Sequence, residues 1–303
     1  MKYSNLFLIL ILLIIGSCYE DDSITITDSE PLLKIGLVAD PQYADKPNNG
    51  DRYYRESLWK LKDAIEFFNS SSVDIVQTLG DVIDTEWTSF DSILPIYQNI
   101  SSGIENFQLL GNHEFAVAPL HYENLLERLS MSSYYYSYTR EGWRFIVLDA
   151  TDYSYYSNPL HNHDINQVNS YYEYTLGSPN HQLWNSAIGV EQQNWLIQEL
   201  DNASTLNQKV ILFSHIPLKS SNPTHNLWND YQIIDILENY SNVIAYFNGH
   251  NHKGDYIFEN GIHYITITAM VNTTINSYAL LEIYEDRLIL KGYGNQQSII
   301  IKN

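Results

Sequence analysis

The chain has 303 residues, of which 44% are hydrophobic and 17% are charged. These proportions are typical of a globular protein with a substantial core and exclude a largely disordered chain. The formal net charge of −20 argues against a nucleic-acid-binding protein, because polyphosphate backbones are bound by basic surfaces. A small anionic substrate is compatible with this charge if metal ions supply positive charge locally.

The first residues have the layout of an export signal. A lysine at position 2 precedes an apolar run from Leu6 to Ile15, and small residues follow,. The run is shorter than the roughly 20 residues that span a bilayer as a helix. Cys18, the single cysteine of the chain, stands where the lipobox of bacterial lipoproteins has its lipidated cysteine, and the resemblance predicts a membrane anchor.

We therefore predict a signal peptide of the lipoprotein type over 1–17 and an acidic tether over 18–31,. The predicted location is the cell envelope, with the protein held at the membrane through lipidated Cys18. An ordinary cleaved signal, or a short anchor with an incidental cysteine, is the alternative.

From residue 32 to the end, apolar runs alternate with amphipathic stretches. Strands are predicted over 32–40, 73–81, 106–114, 143–150, 209–217 and 242–252,. Helices are predicted over 53–69, 91–101 and 231–240,. Near the C-terminus, three segments predict successive antiparallel strands: 263–270, 278–285 and 287–294. This order predicts one α/β domain over 32–303, built as a sandwich of mixed sheets.

Most of these predicted strands end in residues that can bind metal ions. The residues are Asp40, Asp81, Asn112, His113, His215, His250 and His252. Ligands of open α/β sheets sit at the carboxyl ends of strands, so we expect these side chains to converge. Carboxylates, an amide oxygen and imidazoles suit Mn, Fe and Zn, and a two-metal site favours phosphoryl displacement. Taken singly, the carboxylates and the asparagine could be helix N-caps.

The same residues carry a family resemblance. The blocks Asp40-x-Gln42, Gly80-Asp81, Gly111-Asn112-His113-Glu114, His215 and Gly249-His250-Asn251-His252 resemble the calcineurin-like metallophosphoesterases in order and spacing. Gln42, where most relatives have histidine, and stretches such as "NSAIGVEQQNWL" (185–196) make the chain similar to the manganese-dependent ADP-ribose/CDP-alcohol diphosphatases. The resemblance implies an α-β-β-α sandwich of two mixed sheets, with the site at the strand carboxyl ends.

It also implies a reaction and a role for each residue. The reaction is hydrolysis of a nucleoside-diphosphate-linked compound by a hydroxide that two divalent cations generate, with Mn²⁺ expected first and Fe or Zn as alternatives. Asp40 and His252 hold one metal with Gln42 nearby; Asn112, His215 and His250 hold the other; Asp81 bridges them; His113 is the general acid; Asp84 orients it.

Other functions stay open at this point. A phosphomonoesterase or cyclic-nucleotide phosphodiesterase of the same superfamily would use the same ligands, and a lipoprotein that only binds phosphate compounds would need no turnover. His113 argues against pure binding, which needs no proton donor. We expect a monomer that acts on a small phosphorylated substrate, although an envelope location is unusual for substrates that are mainly intracellular.

Two further features have no assigned role. "HNHD" (161–164), in the Tyr-rich stretch 151–189, could form a further metal site or a gating loop. A polar surface loop is the preferred interpretation, because no predicted strand carries it to the site. Arg52 and Arg55 could clamp a phosphate, although a solvated helix face is preferred for them.

Overall fold

The structure, a computed structural model, describes residues 30–302. The predicted export signal over 1–17 and the tether up to residue 29, including Cys18, lie outside the described residues. Within residues 30–302, no helix is both long enough and apolar enough to cross a bilayer. The chain from Pro31 onward forms one compact unit.

Strands make up the centre of this unit. They are β1 (Leu33–Val38), β2 (Ile75–Thr78), β3 (Glu105–Phe107), β4 (Tyr136–Arg140), β5 (Trp143–Val147), β6 (Lys209–Phe213), β7 (Val243–Asn248), β8 (Asp255–Glu259), β9 (Ile262–Thr266), β10 (Ser277–Ile283), β11 (Arg287–Gly294) and β12 (Ile299–Lys302). β1 is buried along almost its whole length, as its unbroken apolar sequence predicts for a strand covered on both faces.

Helices lie between most of the strands. They are α1 (Ser57–Ser70), α2 (Ser89–Tyr97), α3 (Leu125–Arg128), α4 (Asn158–His161), α5 (Ile165–Tyr174), α6 (Val190–Thr205) and α7 (Asp230–Glu238). Short 3₁₀ turns cover Tyr54–Glu56, His113–Ala116, Pro119–Asn124 and Pro223–His225. In α1, Leu61, Ile65 and Phe68 are buried at helical spacing, which is the pattern of a helix packed on a sheet.

The strands form two six-stranded mixed sheets, in the orders β12-β11-β10-β1-β2-β3 and β4-β5-β6-β7-β9-β8. Their inner faces share one apolar core, in which Ile35 and Leu37 of the first sheet join Phe145 and Phe213 of the second. α1 and α2 pack on the outer face of the first sheet, and α6 and α7 on that of the second. The predicted α-β-β-α sandwich of two mixed sheets is therefore confirmed.

The prediction of a terminal meander over 263–270, 278–285 and 287–294 was wrong in its first member. β9 lies in the second sheet, parallel to β7, whereas β10, β11 and β12 pair antiparallel in the first. The chain crosses from one sheet to the other between β9 and β10, and local sequence cannot show which sheet a strand joins. The strand predicted over 106–114 is also shorter, because it gives way after Phe107 to the loop that carries Asn112.

A buried lysine ties α1 to this crossing segment. The ammonium of Lys60 donates to the carbonyls of Met270 at 2.8 Å, Asn272 at 3.3 Å and Thr273 at 2.7 Å. Burial lowers the pKa of Lys60 to about 8,. Three carbonyls around one ammonium fix the backbone of Asn272, whose side chain contacts the candidate metal centre.

Candidate metal centre

The carboxyl ends of strands from both sheets meet at one edge of the sandwich. Asp40 follows β1, Asp81 follows β2, His215 follows β6, and His250 and His252 follow β7. Asn112 lies in the loop after β3 and reaches the same edge, where its Oδ1 is 3.2 Å from His215 Nε2. The structure thus brings the predicted metal ligands together, and the roles assigned to them stay predictions.

One group of ligand atoms surrounds His215 Nε2. Asp81 Oδ2 lies 3.2 Å from this nitrogen, Asn112 Oδ1 also 3.2 Å, and His250 Nδ1 3.3 Å. Asp81, His215 and His250 are all buried, and their ligand atoms lie within 4.8 Å of one another. Two imidazole nitrogens, a carboxylate and an amide oxygen directed at one point form a donor set for a borderline divalent cation.

The other ring nitrogens of these histidines have fixed partners. His215 Nδ1 donates to the carbonyl of Leu79 at 2.8 Å, and His250 Nε2 donates to Asn185 Oδ1 at 3.0 Å. Because each bond places the proton on the outer nitrogen, it leaves the inner nitrogen with a free lone pair. Metal-binding histidines are oriented in this way by partners beyond the ligands.

A second group lies beside the first and shares Asp81. His252 Nε2 is 3.6 Å from Asp40 Oδ1 and 3.1 Å from Gln42 Nε2. Gln42 Nε2 also donates to Asp81 Oδ2 at 3.0 Å, so the glutamine connects the two groups. His252 Nδ1 donates to Asn272 Oδ1 at 2.8 Å, so its Nε2 is the unprotonated nitrogen, which accepts from Gln42 Nε2 and is the one able to bind a metal,. The sharing of Asp81 is the arrangement that the predicted bridging role requires.

Three observations show that these residues fit divalent cations. Gln42 Oε1 is buried and forms no hydrogen bond within the described chain, so it is a free neutral oxygen donor. Asp40 and Asp81 are fully buried, yet their ion pairs within residues 30–302 involve only histidines. Buried carboxylates of this kind need a compensating positive charge. The donors are also mixed in type, as Mn, Fe and Zn accept.

Burial and neighbouring charges shift the pKa values of these residues in different directions. Burial raises the pKa of Asp40 to about 7, and burial with the nearby charge of Arg52 lowers the pKa of His252 to about 4. Burial also lowers the pKa of His250 well below its ordinary value. Burial works against charge on His215, but the Asp81 carboxylate raises the pKa of His215 to about 10. Neutral His250 and His252 can bind a metal.

The backbone that presents these ligands is strained. Asp40, Gln42, Asp81 and His250 have left-handed φ angles of 48°, 43°, 52° and 66°, a region that non-glycine residues seldom adopt. Glycine is required beside two of them: a Cβ on Gly111 would lie 2.2 Å from Asp81 Oδ1, and one on Gly249 would lie 2.5 Å from Asp40 Oδ2. Strain concentrated at one place is typical of a functional site.

His113, the predicted general acid, stands at the mouth of the centre with its side chain 21% exposed. Its Nδ1 donates to the backbone carbonyl of Asp84 at 2.8 Å and lies 3.6 Å from Asp84 Oδ1. The Asp84 carboxylate pairs chiefly with Lys46. Asp84 therefore contacts His113 mainly through its backbone carbonyl, and its predicted role in orienting His113 stays a prediction.

Several residues at the centre were not predicted. Asn185 and Asn272 orient His250 and His252, and the buried carboxylate of Glu114 accepts hydrogen bonds from the backbone amides of Gly111, Asp81 and Val82. The sequence blocks contained Asn185 and Glu114, but only the fold shows what they contact. Gln42, Asp81, Asn112, His113, His250 and His252 line a cavity of about 310 Å³, whose other wall residues are Arg52, Trp184 and His225.

Comparison with known proteins identifies the family. Residues 33–254 match the model of the calcineurin-like phosphoesterases. The chain belongs to the calcineurin-like phosphoesterase family. This membership, together with the donor set described above, confirms the predictions of a metal-dependent hydrolase and of divalent metal cofactors.

Among relatives, the manganese-dependent ADP-ribose/CDP-alcohol diphosphatase of Mus musculus is 30% identical over 88% of this chain and 92% of its own length. The protein of the same name from Arabidopsis thaliana is 28% identical over 90% of this chain and 98% of its own. A solved dimetal phosphatase from Danio rerio superposes with a TM-score of 0.79 and 25% identity, covering 90% of this chain and 99% of that one.

The contact between Asn185 and His250 predicts an effect on metal affinity. Replacing Asn185→Leu removes the acceptor that fixes the tautomer and orientation of His250, so we expect metal binding to weaken by about 10–100-fold. Competition with a chelator of known affinity measures this.

An asparagine at the end of α1, away from the centre, provides the control. Asn69 donates to the carbonyl of Asn99 at 2.8 Å and accepts from the amide of Ser101 at 2.9 Å. Asn69→Leu should lower the free energy of unfolding while metal affinity stays at the wild-type value. Wild-type affinity in the Asn185→Leu variant would show that Asn185 does not orient the ligand.

Proposed function

We propose that this phosphoesterase hydrolyses the pyrophosphate bond of nucleoside-diphosphate-linked compounds such as ADP-ribose and CDP-alcohols, with two Mn²⁺ ions. The observation that carries the proposal is that Asp81 is shared by the two ligand groups, which is what a two-metal centre for phosphoryl displacement needs,. The names of the relatives from Mus musculus and Arabidopsis thaliana support the substrate class and the metal.

In this proposal each ligand group holds one cation. One site consists of Asp40, Gln42, Asp81 and His252, and the other of Asp81, Asn112, His215 and His250. Bound there, two divalent cations supply Lewis acidity, which activates a water nucleophile and neutralises charge on the phosphate oxygens. The residues of the chain position the substrate and control a proton.

His113 is the residue that delivers this proton. Because Nδ1–H is bonded to the Asp84 carbonyl at 2.8 Å, Nε2 is the ring nitrogen that can carry the proton to be transferred. Because His113 lines the cavity, its Nε2 can protonate the leaving phosphate oxygen as the P–O bond breaks. Imidazole suits this role near neutral pH.

The other wall of the cavity suits a diphosphate better than a small monoester. Arg52 lines the cavity with Trp184 and His225, and its guanidinium can bind the phosphate that is not attacked. Arg55, by contrast, is exposed and pairs with Asp45. The Trp184 side chain is large and 44% exposed, so its ring offers a flat surface to a base or sugar. A nucleoside diphosphate can contact the metal centre, Arg52 and Trp184 at the same time.

The substrate class is tested by a panel of phosphate compounds. With Mn²⁺, we expect ADP-ribose and a CDP-alcohol to be hydrolysed with kcat/KM values at least about tenfold above those for phosphate monoesters and cyclic nucleotides, because only the diphosphates reach both Arg52 and the metals. Arg52→Met should reduce this preference, while the exposed Arg55→Met leaves it unchanged. Faster turnover of monoesters or cyclic nucleotides overturns the proposal, and binding without any turnover indicates a non-catalytic protein.

The role of His113 is tested with two leaving groups. His113→Ala should lower kcat for ADP-ribose by about 10²–10⁴-fold, the usual contribution of a general acid. A nucleoside nitrophenyl phosphodiester, whose leaving group needs no proton, should lose far less. His225→Ala, a change in the same cavity, should affect both substrates equally. Equal losses in His113→Ala, with metal content unchanged, would exclude the acid role.

We also propose that residues 1–17 direct export and that lipidated Cys18 anchors the enzyme to a membrane of the cell envelope. The apolar run from Leu6 to Ile15 and the position of the single cysteine support this,. The wild-type protein should fractionate with membranes, and Cys18→Ser should appear in the soluble fraction or keep its signal. A soluble wild-type protein with an unmodified N-terminus would contradict the anchor.

A further inference from the structure

A second group of histidines and carboxylates lies at the end of β5. Asp149 and Asp152 come directly after this strand, His161 is the last residue of α4, and His163 precedes α5. The ligand atoms of Asp152, His161 and His163 all lie within 4.8 Å of one another. None of these residues belongs to the metal centre described above. In the "HNHD" segment Asn162 and Asp164 are exposed, whereas His161 and His163 lie beside Asp149 and Asp152.

His161 is the member whose environment most needs an explanation. Its side chain is only 9% exposed, and Nε2 is buried without a hydrogen-bond partner within the described chain. The nearest carboxylate oxygen, Asp149 Oδ2, is 3.5 Å away, beyond good hydrogen-bond geometry. Tyr134 packs edge-on against the ring. A buried imidazole nitrogen without a hydrogen bond is unfavourable, and a ligand at Nε2 would remove that cost.

The two carboxylates are each held by one oxygen and present the other. Asp149 Oδ1 accepts from the amide of Thr151 at 2.8 Å, and its Oδ2 faces His161. Asp152 Oδ2 accepts from the amide of Gly189 at 2.9 Å, and its Oδ1 accepts from His163 Nε2 at 2.9 Å, a proton that a bound cation would replace,. Such outer hydrogen bonds are what orients carboxylate ligands of metal ions.

His163 is also fixed in orientation. Its ring stacks flat on Tyr153, with centroids 3.8 Å apart and an angle of 6° between the planes. Neither Asp149 nor Asp152 forms an ion pair with lysine or arginine in the part of the chain that the structure describes. The group therefore combines two oriented carboxylates and two oriented imidazoles with no resident cationic side chain.

We propose that Asp149, Asp152, His161 and His163 form a third divalent-cation site, separate from the catalytic pair and selective for Zn²⁺. Two imidazole nitrogens and one carboxylate oxygen, all within 4.8 Å of one another, are donors that Zn²⁺ accepts, and the Asp149 carboxylate beside His161 can supply a fourth,.

The site formed by Asp149, Asp152, His161 and His163, called the clip below, would cross-link two segments that support the wall of the catalytic cavity. It joins the end of β5 to the segment between α4 and α5, and Tyr153 within this region exchanges two backbone hydrogen bonds of 2.9 Å with Ala187. Trp184 and Asn185 lie just before Ala187, and Asn185 contacts His250. A cation bound at this site would therefore hold Trp184 and Asn185 in place. The binding of this cation does not depend on the hydrolytic reaction.

The first test counts metal ions in the full chain. After loading with Zn²⁺ and removal of excess metal, elemental analysis should find three ions per wild-type chain and two in the double variant His161→Asn/His163→Asn. His121→Asn is the matched control, because His121 also stacks flat on an aromatic ring, that of Trp87, but forms no ion pair within residues 30–302; this variant should keep three. Two ions in the wild type, or three in the double variant, overturn the proposal.

The second test isolates the clip from the catalytic pair. An Asp81→Asn chain, which lacks the shared catalytic ligand, should still bind one Zn²⁺ in a saturable titration, and that ion should raise the midpoint of thermal unfolding. Adding His161→Asn should weaken this binding by at least about 100-fold and abolish the rise. Co²⁺ in place of Zn²⁺ should give the strong visible bands of four-coordinate cobalt only while His161 is present. An Asp81→Asn chain with no saturable Zn²⁺ binding excludes the site.

Discussion

The burial of Asp40 and Asp81 is the constraint on which the rest of this structure depends. Two carboxylates removed from water are very unfavourable unless positive charge and hydrogen-bond donors surround them. The chain supplies backbone donors, since the amide of His250 lies 3.2 Å from both Asp40 oxygens and the amide of His113 is 2.8 Å from Asp81 Oδ1. No lysine or arginine pairs with either carboxylate within residues 30–302. The buried negative charge therefore needs bound cations to neutralise it, and the same residues that create this need can serve as metal ligands.

The sandwich makes this burial possible because its strands are rigid and its loops are not free to relax. Left-handed backbone at four of the ligands costs about 1–3 kcal/mol per residue, and only a well-packed fold can hold it. The inner core between the sheets fixes β1, β2, β6 and β7, so their carboxyl ends arrive at set positions. Lys60 fixes the segment between β9 and β10 to α1 through its hydrogen bonds to three backbone carbonyls. The catalytic geometry is therefore a property of the whole fold.

Apolar runs ending in Asp40, Asp81 and His215 were enough to predict a metal centre, because the carboxyl ends of neighbouring strands meet at one edge whatever the details of the sheet. The sequence could not show which strands pair with each other or which side chains contact the histidines. The placement of β9 in the second sheet depends on long-range hydrogen bonds, and the roles of Asn185 and Asn272 depend on which histidine each one meets. The contacts of His161 and His163 could not be predicted for the same reason, since their carboxylate partners come from the end of β5.

Position 42 has glutamine where most relatives of the superfamily have histidine, and its contacts explain how a metal centre is compatible with this difference. Its amide nitrogen contacts Asp81 and His252 together, at 3.0 and 3.1 Å, while its oxygen is left as a free donor. An imidazole at this place would present one basic nitrogen instead of a neutral oxygen and could not bridge both neighbours in the same way. Oxygen donors shift the balance of a mixed site toward Mn²⁺ and away from Zn²⁺. In the proposed function, Gln42 and Asn112 each offer the catalytic centre an amide oxygen. Gln42 would therefore favour Mn²⁺ most at the ligand group that contains His252, where His252 is the one imidazole.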